Sequence, residues 1–169
     1  MKILKITLVA LFTTLSTFAF QGETSSISTN VKNMKKYEGY FTFYYDTDAG
    51  KVFLETDKLN EEFLYISSIT AGLGSNDVGL DRNSLGSTKI VYFKKFGPKL
   101  LLIQPNYGFR ANSDNPDEVK AVEDAFAKSV IFGFNIVAEE ANRVLIDISP
   151  LLLSDLNNIS SSLLRSGQG

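Results

Sequence analysis

The side chains best suited to binding chemistry lie in one long run rich in Gly, Asn and Asp, residues 71–88 (AGLGSNDVGLDRNSLGST). Asp77, Asp81 and Asn83 could hold a calcium ion through oxygen ligands, as extracellular modules often do, and Asn76 lies beside them. The favoured alternative is that these residues cap tight turns by bonding their own backbone. A loop longer than about a dozen residues in a compact domain is usually functional or disordered. We therefore predict that residues 71–88 form a docking or ligand loop.

Two arginines beside such runs are the cations of interest. Arg82 and Arg110 could each place a guanidinium fork on a carboxylate of this domain or of a neighbour. The alternative is a solvated surface arginine, and for Arg82 the two interpretations are equally supported. Asp114 and Asn115, in the run SDNPD at 113–117, complete the candidate docking or ligand residues.

Composition excludes several kinds of chemistry for this chain of 169 residues, which has no histidine and no cysteine. Disulfides, thiol nucleophiles, Cys/His zinc sites and triads with an imidazole base all need those residues. The 17 basic and 19 acidic residues are interspersed, so no nucleic-acid partner is predicted. A carboxylate-only hydrolase site leaves no short signature and is the less favoured alternative to surface acids. For the chain alone we predict neither catalysis nor a cofactor.

The N-terminus has the pattern of a secretory signal. In residues 1–19, Lys2 and Lys5 precede an apolar stretch too short to span a bilayer, and TFA at 17–19 is a small-residue cleavage site. This pattern predicts a secreted or periplasmic protein with no stable membrane insertion after cleavage. An uncleaved membrane anchor is the less favoured alternative. Residues 20–37 are polar, and we predict a flexible leader without a packing role.

From residue 38 onward the sequence predicts an α+β domain, in which an antiparallel β meander and hairpins carry two helices packed on the sheet. Alternating and continuous apolar patterns give the strands. The predicted strands are residues 40–45, 51–55, 62–69, 89–96, 99–104, 135–138 and 144–148. DTDAG at 46–50 resembles the start of a calcium loop, but a hairpin turn needs the same residues and is favoured.

Two helices are predicted from capping and periodicity. Asn115 suits an N-cap and Pro116 the first helical position, and Gly133 is predicted to end this helix. Its apolar face should lie on the sheet. The members of that face are Val119, Val122, Phe126, Ser129 and Val130. A last helix, rich in leucine, is predicted to begin at Pro150.

Several separate motifs, in order along the chain, resemble a known family. They are GLGSND (72–77), GLDR (79–82), SDNPD (113–117), VED (122–124), VAEE (137–140) and GQG (167–169). The region from about residue 37 to 169 resembles the N-terminal part of large secreted bacterial zinc-dependent metalloproteases.

The resemblance implies that residues 38–169 are an accessory domain of unknown function, truncated at the C-terminus, before a catalytic domain with a His-Glu-x-x-His motif. Zinc would belong to that missing domain. The implied partners are the catalytic domain in cis and its peptide substrate, with residues 71–88 as the docking surface. A free-standing envelope binding module that uses the same loop is the alternative. A surface left bare by the missing domain should be apolar and exposed, at the last helix and the aromatic first strand.

Overall fold

A computed structural model describes residues 26–72 and 79–167 of the chain. Within these ranges, eight antiparallel strands form one sheet in the order β1-β2-β3-β8-β7-β6-β5-β4. The strands are β1 (Lys35–Tyr37), β2 (Thr42–Asp46), β3 (Lys51–Thr56), β4 (Glu62–Tyr65), β5 (Lys89–Phe96), β6 (Lys99–Gln104), β7 (Ser129–Glu140) and β8 (Arg143–Asp147). The helices in the same ranges are α1 (Ile27–Asn30), α2 (Pro116–Ala125), α3 (Ser149–Leu152) and α4 (Ile159–Arg165). The predicted sheet-rich antiparallel architecture is confirmed.

Turn chemistry produces the hairpins as expected. In the β2–β3 turn the Asp46 carboxylate accepts the backbone N–H groups of Asp48 and Ala49, each at 3.0 Å, and Gly50 has a φ of 64°. Here Asp46 therefore acts as a turn cap. β5 and β6 have the predicted bounds and are joined through Gly97, whose φ of 53° suits glycine. β4 is shorter than predicted and ends at Tyr65.

The main core lies on one face of the sheet and draws on both halves of it. The buried members are Leu54, Val91, Phe93, Leu100, Leu102, Phe134, Val144, Ile146, Ile148 and Leu151. Phe41, just before β2, has its ring centroid 5.0 Å from Phe63 of β4 and 5.8 Å from Phe93 of β5. Because β2 and β4 stand near opposite ends of the strand order, these contacts require a strongly curled sheet.

A second, smaller core lies on the outer face of the sheet under α1. Ile27 is only 2 % exposed and packs on buried side chains of β2, β3, β7 and β8, with Val31 and Met34 at its side. The described part of the predicted flexible leader, residues 26–37, is therefore ordered, and the expectation that it has no packing role is wrong. Ile27, Val31 and Met34 recur at near-helical spacing, and their burial outweighs the polar composition of this segment.

The N-terminus of α2 is as predicted, whereas its C-terminus is not. The Asn115 side chain accepts the N–H of Asp117 at 3.0 Å, which confirms the N-cap. The helix ends at Ala125, and the predicted end at Gly133 is wrong because that glycine lies within β7. Ser129 also belongs to β7. Alternating β-branched and aromatic residues favour a strand there.

The predicted packing of the helices on the sheet is not confirmed for α2 or α4. In the described structure neither helix buries a side chain, whereas α3 buries Leu151 against the core. The predicted last helix is divided into α3 and α4. Asp155 accepts the N–H groups of Ile159 and Ser160 at 2.7 and 2.9 Å, and Asn158 has a φ of 53°. This capping starts a new helix instead of continuing the old one.

Candidate functional site

The predicted docking loop is an extension of β4 and β5 at its base. Ser68 pairs with Leu85 in an antiparallel bridge. The N–H of Asn83 donates to Ile69 O at 2.7 Å, and Ile69 N–H donates to Ser84 O at 3.0 Å. These bonds order the two arms of the loop. Predicted residues Asn76 and Asp77 lie outside the described residues.

The two arms approach each other most closely at Gly72. A Cβ at this position would lie 2.5 Å from the backbone nitrogen of Arg82, so a larger residue cannot fit without a shift of backbone. Leu80 is buried beside this contact, whereas Asp81 and Arg82 are exposed. The last two line an open depression of about 370 Å³. Among the described residues, no carboxylate forms an ion pair with Arg82.

A stripe of exposed apolar side chains runs along this extension. Leu64 of β4 pairs with Ile90 of β5, and alternation places Ile66 on the same face as Leu64. Leu85 lies on the arm opposite, and it and Leu64 are 67 % and 73 % exposed. We call Leu64, Ile66, Leu85 and Ile90 the β4 apolar patch. Because large contiguous apolar patches mark interaction sites, we treat this group as the candidate docking surface.

Exposed apolar side chains also occur at both places predicted from the sequence. Leu153, after α3, is 86 % exposed, and Leu164 of α4 is also largely exposed. At the predicted aromatic first strand, which corresponds to β2 and the residues before it, Tyr40 and Tyr45 are exposed. The β4 apolar patch differs from these because it adjoins the predicted docking loop.

A separate cleft of about 470 Å³ lies between α2 and the outer face of β4 and β5. The chain between β6 and β7 forms this excursion from the sheet, and Val122 and Phe126 of α2 line the cleft opposite Tyr92. The apolar side of α2 therefore faces an open space, which explains why α2 buries none of its described side chains. We call this space the α2 cleft.

Aromatic and charged side chains shape the mouth of the α2 cleft. The Arg110 guanidinium carbon lies 4.1 Å from the ring centroid of Tyr107, a cation–π contact. The Tyr107 hydroxyl donates to the Glu62 carboxylate. Phe109 and Phe126 stack with centroids 3.9 Å apart and planes 4° from parallel. The arrangement presents a cation, held by a cation–π contact, next to an aromatic wall.

The structure divides the predicted site residues between two places. Asp81 and Arg82 belong to the docking loop. Arg110, Asp114 and Asn115 belong to the excursion that carries α2, where Asn115 is occupied as its N-cap and Asp114 is exposed. Of these, Arg110 lines the α2 cleft.

A buried polar network under α1 was not anticipated from the sequence. Glu55 of β3, 8 % exposed, accepts a hydrogen bond from the Tyr44 hydroxyl at 2.6 Å and one from Arg143 at 2.7 Å. Arg143 also contacts Glu140 at 3.2 Å. Burial and the bond to Glu55 raise the pKa of Tyr44 to about 12. A glutamate at the end of an apolar strand was the one available signal.

Two further features of residues 26–72 and 79–167 concern metal binding and membrane spanning. No group of three or more His, Cys, Asp or Glu side chains in these ranges could hold a metal ion. None of the helices described there is long and apolar enough to cross a bilayer. The calcium hypothesis depends on Asp77, which is not among the described residues.

Comparison with known proteins gives two family matches. A model described as a domain of unknown function (DUF5117) matches residues 83–169, about half of the chain. A second, described as a domain of unknown function (DUF5118), matches residues 24–72. Neither a curated protein nor a solved structure matches. The two matches meet at the docking loop, one ending on its first arm and the other beginning on its second.

Proposed function

The chain belongs to the family described as a domain of unknown function (DUF5117), and we propose that it is a non-catalytic docking domain for a zinc-dependent metalloprotease catalytic domain in the same polypeptide. The proposal joins the motif resemblance to the exposed surfaces of the fold. In this role the domain would be secreted or periplasmic, as the signal pattern predicts. It would hold the catalytic domain in place or help to position its peptide substrate, and the zinc would belong to the catalytic domain.

The β4 apolar patch is the observation that supports docking most strongly. Leu64 and Leu85 are 73 % and 67 % exposed, although both flank ordered backbone at the base of the docking loop. Covering a fully exposed leucine contributes about 1.5–3 kcal/mol, so these two side chains together offer about 2–4 kcal/mol to a partner. A partner that covers the patch would also contact the second arm of the docking loop.

A free-standing envelope binding module is the second candidate function. It is favoured by the open depression of about 370 Å³ at Gly72, where Asp81 and Arg82 present opposite charges. In that case the loop itself would bind a ligand without a catalytic neighbour.

Hydrogen exchange separates the two candidates. Exchange would be measured in the domain alone and in the domain joined to the polypeptide that is encoded downstream in the same reading frame. Docking predicts that the amides of residues 64–69 and 83–90 become protected in the longer protein. Leu64→Ser and Leu85→Ser should remove this protection, whereas Leu153→Ser, at a still more exposed leucine elsewhere, should leave it. Unchanged exchange at both segments would contradict docking through the β4 apolar patch.

A further inference from the structure

We propose that the α2 cleft binds a peptide that ends in a free α-carboxylate and an apolar last side chain, with Arg110 holding the carboxylate. This goes beyond docking through the β4 apolar patch, because it uses different residues and needs no catalytic domain.

The size and lining of the α2 cleft fit one or two peptide residues. Its volume of about 470 Å³ lies within the range typical of ligand pockets, about 300–1,000 Å³. The stacked pair of Phe109 and Phe126, with Val122 beside it, forms an apolar wall. Such a wall would take an aromatic or aliphatic side chain and remove its surface from water.

Among the described side chains around the cleft, one cation has no ion pair. Lys128 lies 3.8 Å from Glu123, and Glu62 accepts the hydroxyl of Tyr107. Arg110 forms no ion pair with any described carboxylate, and its contact is with the face of the Tyr107 ring. The cation–π contact restrains the guanidinium beside the ring, and its N–H groups remain available for a bidentate bond.

The same charges argue for a carboxylate over a phosphate. Glu62 and Glu123 line the cleft with Arg110 and Lys128, so its formal charge is balanced. A phosphate dianion would meet these two carboxylates, whereas a single carboxylate needs only the one arginine fork.

Isothermal titration calorimetry with N-acetyl-Ala-Leu-Phe tests the proposal, with the C-terminal amide of the same peptide and inorganic phosphate as comparisons. A charge-assisted bond at an open site predicts that the acid binds about tenfold more tightly than the amide. Phosphate should not compete. Equal binding of acid and amide, no binding of either, or competition by phosphate would each overturn the proposal.

Variants assign the effect to Arg110. Arg110→Gln should reduce the ratio of the affinity for the acid peptide to the affinity for the amide peptide to about one. Arg110→Lys, which keeps the charge and loses the guanidinium fork, should give an intermediate ratio. The matched control is Arg82→Gln, an exposed arginine in the docking loop, which should keep the full ratio. Thermal unfolding of each variant checks that the fold is intact. A full ratio in Arg110→Gln, or an equal loss in Arg82→Gln, would contradict the assignment whatever the result at the β4 apolar patch.

Discussion

Removing the hydroxyl of Tyr44 should destabilise the fold, whereas removing the hydroxyl of Tyr65 should not. The Tyr44 hydroxyl donates to the buried carboxylate of Glu55 at 2.6 Å, and Arg143 holds the other oxygen of that carboxylate. A hydrogen bond to a charged group contributes about 1.5–3 kcal/mol, and Tyr44→Phe leaves a buried acceptor short of one donor. The Tyr65 hydroxyl, in contrast, is buried without a hydrogen-bond partner in the described chain. Tyr65→Phe should therefore be neutral or stabilising by up to about 1 kcal/mol.

Urea unfolding followed by circular dichroism measures both changes. With a slope of about 2 kcal/mol per molar urea, Tyr44→Phe should lower the midpoint by roughly 1 M, whereas Tyr65→Phe should leave it or raise it slightly. The two variants make the same chemical change, so each is the control for the other. Equal midpoints would refute the assignment of the buried network as a stabilising element.

The pH dependence provides a second readout of the same bond. The pKa of Tyr44 is raised from 10.0 to about 12 by burial and by its bond to Glu55. A folded-state pKa above the unfolded value means that the stabilisation is complete below pH 10 and is lost as pH rises towards 12. The stability advantage of the wild type over Tyr44→Phe should therefore shrink across that window. An advantage that is the same at pH 9 and pH 11.5 would contradict this reasoning.

Three further predictions follow from local geometry. Burial acts to raise the pKa of Asp147, but the hydrogen bonds from Ser149 and Lys51 together outweigh burial, so that the pKa is lowered. Acid titration should therefore destabilise the wild type as pH falls below 3.8, and Asp147→Asn should flatten that dependence in urea unfolding. Gly72→Ala should lower the free energy of unfolding by more than about 2 kcal/mol, because its Cβ would meet backbone at 2.5 Å. Gly50→Ala, with open space around it and a φ of 64°, should lower it by about 1 kcal/mol. Similar urea midpoints for the two variants would contradict the close contact at Gly72. Ile27→Ala should lower the free energy of unfolding, measured by heat or urea, by about 2–4 kcal/mol. A change near zero would mean that α1 does not stabilise the fold.

The sequence predicted best where local chemistry decides the structure. Asn115 and Pro116 specify the start of α2, and the Asp46 turn specifies the first hairpin, through bonds within a few residues. β5 and β6 follow from apolar runs bounded by a glycine turn. Each of these features is set by neighbours in the chain.

The predictions that were wrong concern segments whose structure depends on residues distant in the sequence. Ile27 lies in a polar segment, and its burial depends on side chains that follow it in the sequence by 17 residues or more, from Tyr44 onward. The helical spacing of Val122, Phe126 and Val130 coincides with an alternating pattern that begins at Ser129, and pairing with β6 selects the strand. Local periodicity cannot distinguish these outcomes, because the deciding contacts are tertiary.

In the candidate sites too, single residues can be identified from the local sequence, whereas their arrangement depends on distant parts of the chain. Arg110 was identified from its sequence context, but the cleft that it lines exists only because the excursion between β6 and β7 folds over the sheet. The network of Tyr44, Glu55 and Arg143 joins residues up to 99 positions apart, Tyr44 to Arg143, and leaves no motif in the sequence. Pairing across the sheet brings these side chains together.

Docking on a protease domain of the same polypeptide is tested most directly by reading the genomic sequence downstream of the codon for Gly169. We predict an open reading frame that reaches a His-Glu-x-x-His motif, with the zinc site in the domain that follows. A stop codon directly after Gly169 in an intact contig would contradict the docking role and leave the free-standing binding module.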